Sequence, residues 1–195
     1  MNKERLAAFS DGVLAIIITI MVLELKVPHG YSLAALIPLF PVFLSYVLSF
    51  IYVGIYWNNH HHLLYTVKRV SGSMLWANLH LLFWLSLVPF VTAWMGENNF
   101  SPIPVALYGF VMLMCAIAYY ILQSCILRRH GKDSVLARAI GRDVKGKISP
   151  VLYLAAIISA LCNQPCISGI LYALIAIIWL VPDKRIERIA GKAEE

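Results

Sequence analysis

Six long apolar runs, separated by short stretches that carry nearly all of the charge, constrain this chain more than any other feature. Crossing the hydrocarbon of a bilayer takes roughly 20 apolar residues as a helix. Runs bounded by charges, glycine and proline fall near residues 7–27, 33–57, 74–95, 103–127, 149–162 and 167–182. With 195 residues, 61% of them hydrophobic and 13% charged, the chain holds these crossings and little else. The expectation is one all-α membrane domain over residues 1–195, with no separate soluble unit.

The first run starts close to Met1 and resembles the core of a signal peptide. It lacks a small-residue cleavage site and contains Asp11, so it reads as a retained first helix. The last two runs are short and flank Asn163-Gln164-Pro165-Cys166, where proline cannot continue the preceding helix. Ile148–Val181 is therefore expected to form a tight helical hairpin.

With the N-terminus in the cytoplasm, an even number of crossings puts every Lys and Arg inside except Lys26. That bias sets orientation in a membrane. The net charge of +6 is accordingly read as topology, not as a nucleic-acid surface. The predicted location is the cell membrane, with both termini cytoplasmic. Trp57, Trp76, Trp94 and Trp179 sit near span ends and read as interfacial anchors. The basic stretch Arg128–Lys147 is the longest connection, a short amphipathic helix or loop suited to anionic lipid.

The first span carries the unusual residues. Asp11 enters an otherwise apolar helix, and an intramembrane carboxylate is costly unless paired or hydrogen-bonded. It reads either as a functional group or as a buried polar clamp. At roughly 100° per residue, Ile16, Ile20 and Leu23 form one stripe, with Gly12 below and Thr19 at its edge. Asp11 lies about 140° from Ile16 on that wheel. A pore lined by the stripe leaves Asp11 facing neighbouring helices. Candidate partners are Arg5, the run Trp57-Asn58-Asn59-His60-His61-His62, and Trp76 with Asn78. Consecutive histidines on a helix diverge too far for all three to reach one metal ion, and no metal or cofactor is expected.

Arg5, Phe9, Ser10 and Asp11 form an Arg-x-x-x-Phe-Ser-Asp motif that resembles the signature of the transmembrane protein 175 potassium channels, in their short prokaryotic form. The resemblance extends to the Trp/His-rich end of the second run, where His60 and His61 stand. It also covers Leu75-Trp76-Ala77-Asn78 through Leu87-Val88-Pro89-Phe90 in the third, and is topological beyond residue 95. It implies a homotetramer with the first helix around a central pore, conducting potassium without the Thr-Val-Gly-Tyr-Gly filter, which this chain lacks. It also implies a ring of bulky apolar residues five positions after the motif aspartate, at Ile16, with Ile20 and Leu23 as further layers and Thr19 offering a hydroxyl to the ion.

Two rival classes fit the residues less well. A proton-coupled transporter using Asp11 calls for inverted repeats and helices broken at mid-membrane, and neither is visible. A thiol oxidoreductase using Cys162 and Cys166 lacks a relay, because Cys115 and Cys125 fall inside the fourth run. Enzyme chemistry is not expected.

Overall fold

The computed structural model describes residues 2–67, 69–130 and 144–180. The expected basic connection lies largely outside these residues: Lys132, Arg138 and Arg142 are not described, nor are Lys184, Arg185, Arg188 and Lys192.

Among the described residues, seven α-helices make six helical passes. The first helix, α1, spans Lys3–Leu23, and the side chain of Asn2 caps it by accepting from the Glu4 amide at 3.2 Å. It ends four residues short of the expected limit, where Glu24 and Lys26 interrupt the apolar run. A 3₁₀ segment, Leu33–Leu39, leads into α2, Phe40–Tyr65. Proline at Pro41 suits the first turn of α2, where its missing N–H is not needed. Contrary to an end near residue 57, α2 continues through Trp57 and all three histidines, so this run is helical wall and not a helix terminus.

The third pass is two helices, α3 (Gly72–Ser86) and α4 (Val88–Glu97), joined at Leu87. Pro89 has no N–H for the carbonyl one turn before it, which ends α3. At the break the Leu87 N–H caps α3 on the Leu85 and Trp84 carbonyls, and hydroxyls bond the backbone on either side, Ser86 donating to the Phe83 carbonyl at 2.7 Å and Thr92 to the Val88 carbonyl at 2.7 Å. A broken backbone in lipid is tolerated where side chains and neighbours satisfy it in this way.

The fourth pass, α5, spans Pro102–His130. The hairpin follows as α6 (Val144–Leu161) and α7 (Pro165–Leu180). Its turn places Asn163 in the left-handed region, φ 63°, which asparagine tolerates better than most residues. The Gln164 amide reaches back to the Ser159 carbonyl at 2.9 Å and so closes the end of α6. Four stretches, Lys3–Leu23, Leu33–Tyr65, Gly72–Glu97 and Pro102–Arg129, are long and apolar enough to cross a membrane, and Pro165–Leu180 is a shorter apolar helix.

Packing divides the helices unevenly. The helix α1 rests on α2, α3 and α4, whereas α5 packs along α3, α4 and α6, with α7 closing against α6 and α2. The core runs through Val53, Leu81, Met112, Leu122 and Tyr172, each fully buried. Among the described residues, one side of α1 is therefore left without a covering helix.

Candidate functional site

The buried side of α1 is Leu6, Ser10, Leu14, Ile17 and Met21, a spacing of three and four residues that keeps one stripe against the bundle. The opposite side carries Ile16, 58% exposed, with Ile20 at 41% and Leu23 at 78%. Thr19 is exposed on the same side, and its hydroxyl donates to the Ile16 carbonyl at 2.9 Å. Together with Pro89, Phe90 and Trp94 of α4, Ile16 and Ile20 form the walls of an open groove. Glu24 and Glu97 stand at one end of it. Lys26 forms an ion pair with Glu97 there. Hydrogen bonding and charge from Glu97 hold the Lys26 ammonium above the ordinary lysine range.

The motif residues divide between two partners. Ser10, fully buried, donates to the Leu6 carbonyl at 2.9 Å and accepts from the Asn78 amide nitrogen at 3.0 Å. The Asn78 carbonyl oxygen faces His60 Nε2 at 2.7 Å. Since Asn78 spends its amide nitrogen on Ser10, its oxygen must accept, and His60 therefore carries its proton on Nε2. Asp11 is half-buried and accepts from the Trp57 indole N–H at 3.1 Å. One turn of α1 is thus tied to α2 and α3 through hydrogen bonds that are each worth about 1 kcal/mol, and more where the carboxylate accepts.

Several candidate partners of the motif are not brought to it. Arg5 is exposed and has no ion-pair partner among the described residues, and Phe9 is 53% exposed. Trp76 is 75% exposed and, two positions from Asn78 on α3, does not share the face that Asn78 turns to Ser10. His61 is exposed and packs its ring near that of Trp57 at 6.3 Å, touching the motif only through the tryptophan. An anchoring role alone is too little for Trp57, which binds Asp11, for Trp94, which stacks on Phe90 in the groove, and for Trp179, whose N–H donates to Ser149 at 2.8 Å. The contribution of α4 to the groove was not read from the sequence. The signal available was Glu97, an acid at the end of an apolar run beside Trp94.

The four cysteines are free thiols. Cys115 is buried, while Cys162 and Cys166 are exposed at the hairpin turn.

These contacts lie within the part of the chain that a family model matches. The model described as the endosomal/lysosomal potassium channel TMEM175 matches residues 5–89, which contain the motif, Trp57, His60, Asn78 and Pro89. A potassium channel of Chryseobacterium sp. is 59% identical over 188 residues, covering 96% of this chain and 97% of that one. The chain belongs to the TMEM175 family. A crystal structure of a lysosomal potassium-selective channel TMEM175 homolog from Chamaesiphon minutus superimposes with a TM-score of 0.79 at 28% identity, covering 93% of this chain and 97% of that one. The TMEM175 fold is therefore shared along nearly the whole length, including the hairpin that lies beyond the family model. A TMEM175 relative from Mus musculus, named an endosomal/lysosomal proton channel, is 33% identical over 132 residues, 62% of this chain and 26% of that one.

Proposed function

We propose that this protein is the subunit of a potassium channel, in which four copies gather their α1 helices around a central axis and Ile16 forms the narrowest ring. The observation that carries the reading is the pair of opposed faces on α1. Ile16, Ile20 and Leu23 point out of the subunit, while Ser10 and Asp11 are held from the other sides by Asn78 and Trp57. An aliphatic stripe that none of the described helices covers, on a helix fixed by buried polar contacts, is suited to meet copies of itself. The relative from Chryseobacterium sp., 59% identical and named a potassium channel, and the potassium-selective homolog that shares the fold support potassium as the ion.

Four Ile16 side chains around an axis make a constriction that dewets when narrow and conducts when it widens. Apolar walls favour the ion that sheds water more cheaply, and potassium does so more readily than sodium. Thr19 adds to this preference. Its hydrogen is already given to the Ile16 carbonyl, so its oxygen lone pairs are the part left to face a cation. Glu24 and Glu97 place negative charge at the mouth of the same groove, which raises the local cation concentration.

The reading places the chain in the cell membrane with both termini in the cytoplasm. Lys3 at the start of α1 donates to the Tyr65 carbonyl at the end of α2, which puts these two ends on one side. Lys26 and Glu97 meet at the opposite one. Opposite sides are what an inside excess of Lys and Arg requires, with Lys26 as the exception.

The test is conductance of purified protein in a planar bilayer. Ile16→Asn is expected to raise current and reduce the preference for potassium over sodium. Unchanged current and selectivity in that variant would remove Ile16 from the constriction.

A further inference from the structure

Asp11 is held through one of its two oxygens. Oδ1 accepts the Trp57 indole N–H at 3.1 Å, and Oδ2 accepts no hydrogen bond among the described residues. The pair sits at the surface of the subunit, with Asp11 half-buried and Trp57 47% exposed. Asp11 is eight residues beyond Lys3, where α1 begins, and so about 12 Å along the helix and within the hydrocarbon. A carboxylate at that depth faces protein or water and not lipid. The seam between α1 and α2 is therefore incomplete in a single subunit.

The helix α1 itself indicates what completes it. Ile20 lies nine positions from Asp11, about 180° around the helix. On the Asp11 flank the exposed neighbours are small, Ala8 and Ala15. On the opposite flank, beside the groove of Phe90 and Trp94, Phe9 and Ile20 are bulky and 53% and 41% exposed. Small residues let a second helix approach closely, and bulky ones fill the space they leave. A two-fold contact sets each flank against its own copy, whereas a head-to-tail contact around a cyclic axis sets the small flank against the bulky one.

Hydrogen bonds within the subunit fix the heights at which the flanks meet. Lys3 on the Tyr65 carbonyl and Trp57 on Asp11 set α1 and α2 antiparallel in one register, eight residues up the first for eight down the second. Asn78 on Ser10 and Lys26 on Glu97 set the third pass parallel to α1. On these registers Trp57 stands level with Leu79, and Phe50 with Ser86. All four are exposed, the α2 pair on the Asp11 side of α1, and Ser86 beside Val13 and Ile16 on the other. Rotation about an axis along the membrane normal leaves height unchanged, so residues of equal level meet.

We infer that the channel closes head-to-tail, the α3–α4 flank of one subunit covering the Asp11–Trp57 seam of the next. Leu79 of the partner subunit lies over Trp57 and excludes lipid from the carboxylate, and Ser86 of the partner subunit stands beside Phe50. The inference rests on the fourfold axis proposed above and adds which faces meet around it.

The experiment is disulfide cross-linking of the full chain in membranes, with the exposed Cys162 and Cys166 changed to serine. Phe50→Cys with Ser86→Cys is expected to give, on mild oxidation, a ladder reaching four subunits that reductant collapses. Each single variant is expected to stay monomeric on the gel, as is Phe50→Cys with Trp76→Cys, whose heights differ. Ala15→Trp, exposed within the subunit, is expected to keep the circular dichroism of the parent and to lower the four-subunit fraction in native mass spectrometry about tenfold. A single variant that links, a ladder that stops at two, or an unchanged four-subunit fraction in Ala15→Trp overturns the inference. So does an unlinked Phe50/Ser86 pair in a protein that still shows four subunits and potassium flux, an outcome that leaves the channel reading standing. Absence of both the four-subunit species and the flux in the unmodified chain overturns the channel reading and the inference with it.

Discussion

The indole N–H of Trp57 on α2 donates to the carboxylate of Asp11 on α1 at 3.1 Å, across 46 residues of sequence. This bond takes the one acid of the α1 interior away from the Ile16 stripe and ties it to the neighbouring helix. Trp57→Phe keeps the ring and deletes the donor. It is expected to destabilise the subunit by about 1–2 kcal/mol, the lower part of the range for a bond to a charged group because Trp57 is half exposed. Asp11→Asn, which keeps an acceptor, is expected to lose less. Thermal unfolding in detergent checks both, and an equal loss in the two variants would assign the effect to packing instead.

Asn78 is the hub between His60 and Ser10, and all three are buried. Asn78→Ala removes two hydrogen bonds and strands two polar partners, so a loss of about 2–4 kcal/mol is expected. Ser10→Ala removes the outermost link and is expected to cost about 1 kcal/mol. The order of the two unfolding midpoints is the measurement. A reversed order would mean that Asn78 is not the hub.

Gly96 of α4 and Gly12 of α1 differ in their surroundings. A Cβ on Gly96 meets Ser45 Oγ at 2.5 Å and the Val42 Cα at 2.7 Å, and the second contact is backbone that no rotamer relieves. Gly96→Ala is therefore expected to force α2 and α4 apart and destabilise by about 1–3 kcal/mol, as overpacking does.

A Cβ on Gly12 meets nothing within 4 Å in its own subunit. Gly12→Leu is expected to leave subunit folding intact and, in the tetramer proposed above, to reduce potassium flux by crowding the axis with four leucines. Wild-type flux in a folded Gly12→Leu protein would place this side of α1 elsewhere.

Lys26 titrates above its ordinary value of 10.5, chiefly through its hydrogen bond to Glu97 and the charge of that residue. Raised in the folded state, it contributes fully below the unfolded lysine pKa and loses that contribution as pH rises through the folded value. The contribution of Lys26 is thus constant across neutral pH and is lost in strong alkali. Lys26→Met leaves Glu24 and Glu97 uncompensated at the end of the groove. Cation current at low ionic strength is expected to rise, with the difference gone near 1 M salt, where screening extends only about 3 Å. A salt-independent change would point to a structural effect.

Much of the fold was legible because lipid imposes a one-dimensional rule: each crossing must be a long apolar run, and its ends must carry the charge. The hairpin was readable from Asn163 and Pro165, and the outward stripe of α1 from helical period alone. The break at Leu87 was signalled by Pro89, yet a continuous run of apolar residues around it concealed the split. The extension of α2 through His62 was concealed for the opposite reason. Polar residues look like a helix end until His60 is seen buried against Asn78.

From the sequence alone came the solvent, the number of passes and the angular separation of Asp11 from Ile16, since each depends on order and period along a single strand of chain. Tertiary structure alone decided that Ser10 and not Asp11 receives Asn78, that Trp57 rather than Arg5 or Trp76 takes the carboxylate, and that Phe90, Trp94 and Glu97 stand beside the stripe. Such choices follow from how helices distant in sequence rotate against one another. That rotation is set by the packing of all faces at once, and no single segment carries it.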